Sequence, residues 1–164
     1  MEGEAHPLPT NVPDEAFKDR VWFGHYSFKA GVNEFFLLYH NGFWPIPNAL
    51  DSNSNSAFYA RLKIYGASFH GPFVKGIVSA EIDYYDSVQD RSGDNPFIPN
   101  NQIRGLLRYD LELRKNLNMT VQYYVEQRQQ QQAYEASLLP GMRAEDKNYQ
   151  LIFFFILIIV RAVN

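Results

Sequence analysis

Charged residues recur at alternate positions in three segments of this chain: Arg61 and Lys63, then Glu81 and Asp83, then Arg104, Arg108, Asp110 and Glu112. Successive side chains of a β-strand point to opposite faces, so each of these sets occupies a single face of its strand. Four cations and four anions gathered on one shared face have two uses. They could set the anion preference of a water-filled pore, or they could pair with one another and rigidify or plug it. Of the two, pairing is the favoured expectation.

The remaining candidates for chemistry are weaker. His6, His25, His40 and His70 lie in different segments, with neither i,i+4 nor H-x-H spacing, so they signal no metal cluster. His25 and His40 are expected to share the polar face of one hairpin, where hydrogen bonding is a simpler role than catalysis. The loop from Asp86 to Asn95 has oxygen donors enough for calcium, but it fails the EF-hand spacing and lacks the terminal Glu, so a solvated, turn-rich loop is expected. The Asn118-Met119-Thr120 triplet matches a glycosylation sequon by chance, and the Gln127–Gln132 tract is read as low-complexity loop. With no cysteine, thiol catalysis and disulfide scaffolds are excluded. No catalytic set, metal or cofactor is expected, and a formal charge of -3 gives no footprint for nucleic acid.

The elements that must position the charged residues are strands. In 164 residues, 46% hydrophobic and 16% aromatic, there is room for one folded domain, preceded by a polar, proline-rich tail over residues 1–20 whose only helix-like fragment is Pro13–Lys18. From Val21 onward the period is two. Phe58, Ala60, Leu62 and Ile64 alternate with Tyr59, Arg61, Lys63 and Tyr65; Val78, Ala80, Ile82 and Tyr84 alternate with Ser79, Glu81, Asp83 and Tyr85. The pattern recurs over residues 103–113 and 119–126. A two-residue turn at Gly31-Val32 would set Lys29 opposite Glu34 and Phe28 opposite Phe35. A turn around Gly71-Pro72-Phe73 would set Lys63 opposite Asp83 and Leu62 opposite Tyr84, like with like.

Connections alternate strictly in length. Those after the first, third and fifth strands are short; those over residues 45–56, 87–101 and 129–148 are long. The expected fold is therefore all-β, an up-and-down antiparallel meander of about seven strands. Short turns at one rim and long loops at the other are what outer-membrane barrels show. The polar face carries Tyr and Arg with interspersed acids, as a water-lined lumen would, and aromatics gather near strand ends, as in Trp22-Phe23, Phe43-Trp44 and Tyr84-Tyr85. On this reading Leu62, Ile64, Val78, Ala80, Ile82, Leu107, Tyr109, Val121 and Tyr123 face lipid.

The stretch Tyr84-Tyr85-Asp86-Ser87, the run from Asp90 through Asn101-Gln102-Ile103-Arg104, and Gln122-Tyr123-Tyr124-Val125-Glu126 resemble a poorly characterised group of Gram-negative outer-membrane β-barrel, porin-like proteins. The likeness covers about residues 21–150 and rests on strands and loops, not on a catalytic signature. It implies a lipid bilayer as partner, export to the outer membrane by the assembly machinery that serves such barrels, a homo-oligomer as one possible state, and passive transport or an envelope-structural role.

Both ends depart from that group. Met1-Glu2-Gly3-Glu4 opens no secretory signal, and after Gln150 the chain becomes the ten-residue apolar run Leu151–Val160 in place of an alternating strand. Seven strands is also an odd number, whereas single-chain bacterial barrels close with an even one. The expectation is a fragment of a larger barrel over residues 21–164. The rival reading is a soluble β-barrel whose inward apolar faces hold a small apolar ligand.

Overall fold

From Trp22 onward the backbone follows its period of two into long strands. The computed structural model describes residues 8–13, 19–115, 117–142 and 148–157, the last of these by strand path and pairing. The strands are β1 (Thr10–Asn11), β2 (Trp22–Ala30), β3 (Asn33–Phe43), β4 (Ala49–Asp51), β5 (Ser56–Phe58), β6 (Arg61–Phe73), β7 (Gly76–Ser87), β8 (Gln102–Arg114), β9 (Leu117–Arg128) and β10 (Asn148–Leu157), with one helix, α1 (Gln131–Ser137). The main sheet has seven strands in the order β10-β9-β8-β7-β6-β3-β2, each antiparallel to its neighbours. This is an all-β, up-and-down meander, a partial barrel that stays open, since among the described residues β2 and β10 each pair on one side only.

The long and short connections fall as their lengths predict, but among the described residues the long ones carry structure of their own. Residues 44–60 carry the small β4–β5 hairpin, to which β1 adds in parallel, so part of the N-terminal segment read as tail is ordered on the rim. The Gln-rich tract, read as loop, enters α1. The helix-like fragment at Pro13–Lys18 lies, after Pro13, outside the described residues. The first hairpin is as expected: Gly31 adopts φ +64, Phe28 faces Phe35, and Lys29 Nζ stands 2.6 Å from Glu34 Oε1.

The second hairpin differs. Gly71-Pro72-Phe73 is not a turn but the end of β6, and the chain reverses at Val74-Lys75, with Val74 at φ +56. Pro72 fits there because the last β3 partner along β6 is at His70, so beyond it the strand has only β7 beside it and the missing N–H breaks no β3 rung. Lys63 consequently faces Asp86, not Asp83, and Leu62 faces Ser87, not Tyr84. An odd shift exchanges faces. The odd residues of β6 therefore share a face with the even residues of β7.

Following the register across the sheet gives two distinct faces. One carries five cross-strand rows without a charged residue: Tyr39-Tyr65-Tyr84-Ile103; Tyr26-Leu37-Ala67-Ile82-Gly105-Val125; Phe28-Phe35-Phe69-Ala80-Leu107-Tyr123; Gly71-Val78-Tyr109-Val121, beside the Ala30-Asn33 pair; and Phe73-Gly76-Leu111-Met119. Ring contacts knit it, Phe28 stacking on Phe35 at 5.0 Å and Tyr39 meeting Tyr65 at 5.4 Å. No second layer covers this face among the described residues, and Ile82 stays 59% exposed and Leu107 51%. The hydrophobic core lies on the opposite, polar face, at the long-loop rim. There Trp44, Ala49 and Ala60 close over Leu62, with Ile64, Tyr85 and Ile98 against them.

Candidate lumen face and rim cavity

Alternation places Glu81 and Asp83 of β7 and Arg104, Arg108, Asp110 and Glu112 of β8 on the one polar face, as the spacing predicts. The register extends this face to Thr120, Gln122, Tyr124, Glu126 and Arg128 of β9. Arg61 and Lys63 are the exceptions. They project from the other face at the long-loop end of β6, so they are not lumen-facing candidates alongside the other six. Arg61 Nη2 donates to Asp19 Oδ1 at 2.8 Å and its guanidinium lies 4.8 Å from the Phe43 ring, while Lys63 faces Asn41 and Asp86. Leu62 and Ile64, assigned to lipid by the same reading, instead floor the rim core on the polar face. Tyr65 moves the opposite way, into the apolar band.

The acids and bases of the polar face are largely spent on each other. Arg108 makes a two-pronged contact with Asp110 at 2.7 and 2.8 Å, and Thr120 Oγ1 donates to the same carboxylate at 2.5 Å. Arg104 donates from Nε and Nη2 to Gln102 Oε1, at 3.1 and 2.8 Å, and its Nε stands 3.5 Å from Glu126, which also accepts from Tyr124 Oη at 2.9 Å. Asp83 lies opposite both Arg104 and Gly66, with its Oδ1 in the space where a Gly66 side chain would begin. His25 and His40 do share this face; His25 stacks on Phe36 at 5.6 Å. A hollow of about 350 Å³ is lined by His25, Ser68, Glu81 and Asp83.

At the rim, the loop expected to be solvated is held from within. Asp90, 3% exposed, accepts hydrogen bonds from the backbone N–H groups of Gly93 and Asp94 at Oδ1 and of Asn95 at Oδ2, at 3.0, 3.2 and 3.2 Å. Its carboxylate thus organises the loop's own backbone. Arg91 donates to both oxygens of Asp86, and this hydrogen bonding, with the carboxylate charge, raises its already high pKa. Asn101 Oδ1 accepts from the Ser87 N–H at 2.7 Å, tying the loop's end to β7. In the β4–β5 turn, the Ser54 hydroxyl and the Asn53 N–H donate to Asp51 and lower its pKa.

Between these loops and the sheet lies a cavity of about 970 Å³. Its floor is one cross-strand row, His40-Ile64-Tyr85-Gln102-Arg128, with Arg104 one step further in. Its walls are the Trp44–Leu50 and Pro96–Pro99 segments and Tyr134 of α1. Arg104 lies over the Tyr85 ring at 4.2 Å, and Arg128 over the Tyr134 ring at 4.3 Å. Sequence reasoning missed Trp44, Arg128 and Tyr134 as site residues. The signal available was parity: Gln102 and Arg128 continue the polar alternation of β8 and β9 by one step, to the point where the long loops begin.

Comparison with models of protein families, with curated proteins and with solved structures finds no match to this chain.

Proposed function

We propose that the chain is part of a porin-like outer-membrane β-barrel, with a passive-transport or envelope-structural role and no enzymatic one. The observation that carries this reading is the division of labour between the two faces. Five rows free of charge lie uncovered, while the loops and the only packed core among the described residues sit on the face that holds the ion pairs. In water, contiguous apolar surface on this scale is a liability; against lipid it is the required contact. The band runs along β6 from Tyr65 to Phe73, about nine residues, which is the length that a tilted barrel strand needs to cross the hydrocarbon. It is bounded by a tyrosine row on the long-loop side, as interfacial girdles are. A soluble ligand-binding barrel would need the apolar face inside, under its loops.

Because the chain has no cysteine, single ones can be introduced as labels. The refolded protein in vesicles should show Ile82→Cys and Leu107→Cys probes quenched by brominated lipid, and Glu81→Cys and Arg108→Cys probes quenched by aqueous iodide. Iodide quenching of all four, with the protein monomeric and cooperatively folded without detergent, would establish the soluble alternative.

A further inference from the structure

We infer that the outward face at the long-loop rim binds an anionic phospholipid, with its phosphate at Lys63 and Asn41 and an acyl chain in the groove next to them. This rests on the reading of the chain as a membrane barrel and names the lipid class that the rim selects. The groove, about 460 Å³, is lined on the apolar face by Leu37, Tyr65, Ala67, Ile82, Tyr84 and Ile103. Ala67 is the small residue between Leu37 and Ile82, its partners across the sheet, and so leaves the hollow open. Leu38, Gly66 and Asp83 complete the lining from positions whose side chains register on the polar face, so the groove presents an apolar surface that suits a hydrocarbon chain.

One row beyond the tyrosines, toward the long loops, the same face turns polar. Trp22, Asn41, Lys63 and Asp86 stand side by side there, and Lys63 is two residues from Tyr65 along β6, on the groove's own face. Lys63 has neither an ion pair nor a hydrogen bond among the described residues. Its neighbour Asp86 is already engaged, since both carboxylate oxygens accept from Arg91, at 2.8 and 2.7 Å, and Arg61 is bound to Asp19. Those two pairs balance internally. Lys63 therefore adds an uncompensated positive charge, and the Asn41 amide directly across from it is a second donor without a partner among the described residues. A lysine at the edge of an apolar band, with an indole in its row, stands at the depth of lipid headgroups. A zwitterionic headgroup carries its own cation beside the phosphate, whereas an anionic one does not, so a lone ammonium here selects the anionic lipid.

The chain has two tryptophans, and Trp22, exposed in the row of Lys63, becomes the sole reporter in a Trp44→Phe variant. The full chain with this substitution is refolded in mixed phosphatidylcholine and phosphatidylglycerol vesicles of fixed composition, with brominated acyl chains on one lipid or on the other, and quenching of Trp22 is compared. Phosphatidylglycerol should occupy the position beside Trp22 about fivefold more than its share of the bilayer. Lys63→Gln should remove this preference, Lys63→Arg should keep it, and Ala67→Leu, which fills the groove, should weaken it. Lys75→Gln, in the turn at the opposite rim, should leave it unchanged. If Trp44→Phe alters the far-ultraviolet spectrum, the parent chain serves instead, because Trp44 is buried in the rim core and adds a constant background. Quenching that follows bulk composition, a preference untouched by Lys63→Gln or by Ala67→Leu, or its loss to inorganic phosphate at matched ionic strength overturns the assignment and leaves the membrane reading standing. Absence of quenching by either lipid overturns both.

Discussion

Lys63 of β6 stands directly opposite Asp86 of β7, three residues along the strand from Asp83, the acid that matching charge and apolar pattern selects. Because three is odd, this one pairing turns Arg61, Lys63 and Tyr65 to the apolar side and Leu62 and Ile64 to the polar side. The sheet gains by it: Leu62 and Ile64 find Trp44 and Ala60 above them, and Tyr65 joins Tyr39 and Tyr84 in a row. The face assignment has measurable consequences.

Leu106 and Leu107 are neighbours in sequence and opposites in the sheet. Leu107 occupies the middle of the five apolar rows, and Leu106 stands between Glu81 and Tyr124 on the polar face. On the proposed membrane reading, Leu107→Arg should destabilise the vesicle-refolded protein by about 2–4 kcal/mol, the cost of a cation at the midplane of a bilayer. Leu106→Arg, next to Glu81, should cost less than about 1 kcal/mol. Urea titration in lipid vesicles measures both, and equal penalties would contradict the faces.

Gly76 begins β7 under Tyr109, whose hydroxyl donates to Phe73 O at 3.2 Å across the turn. A Cβ at Gly76 would meet the Asp110 carbonyl oxygen and would stand 2.8 Å from the Tyr109 ring. Gly76→Ala should therefore cost about 1–3 kcal/mol, by forcing backbone or ring aside. At Gly105 the nearest neighbour of a Cβ is Val125 Cγ1 at 3.1 Å, which a small side-chain shift relieves, so Gly105→Ala should be the milder change. Paired denaturation curves make the comparison.

Asp90 holds three backbone N–H groups of its loop. Asp90→Ala would leave them without their acceptor, at roughly 1–3 kcal/mol for each group that water cannot reach. The expected readout is rapid proteolysis within residues 88–101, with the strands left intact. Asp90→Asn, which keeps one carbonyl oxygen, should be cut at an intermediate rate. Resistance of the Ala variant equal to that of the parent would show that the carboxylate does not organise the loop.

Asp51 gives the rim an acid dependence. Its folded pKa is depressed, first by the Ser54 hydroxyl and then by the Asn53 N–H, below an unfolded value of about 3.9. A depressed carboxylate contributes stability that is present above the unfolded pKa and lost as pH falls through the folded one. Order in the Asp51–Ser56 turn should thus be constant from neutrality to about pH 5 and fall below about pH 4. Chemical shifts of Asn53 and Ser54 followed by NMR should show it, and Asp51→Asn should abolish the transition. A transition near neutral pH would assign the effect to another group.

What the sequence by itself determined is the period and the length of its segments. Alternation in β7, β8 and β9, with acids and bases on one parity and most apolar residues on the other, reveals strands, their faces and the shared face of Glu81, Asp83, Arg104, Arg108, Asp110 and Glu112, because a pleated strand offers no other way to separate them. Alternating short and long connections likewise dictate an up-and-down meander. Only tertiary structure decided β6. Its apolar parity changes at Tyr65, from Leu62 and Ile64 to Ala67 and Phe69, so the local pattern supports either face. Gly71-Pro72, a strong turn signal locally, lies inside the strand because β3 has already ended beside it. The rim cavity is hidden for the same reason. Trp44, Tyr85, Arg104, Arg128 and Tyr134 come from segments up to 90 residues apart, and they meet because four cross-strand registers align and the loops fold back over the row they form. Register is a sum of many pairings, and a single mispaired turn changes every contact beyond it.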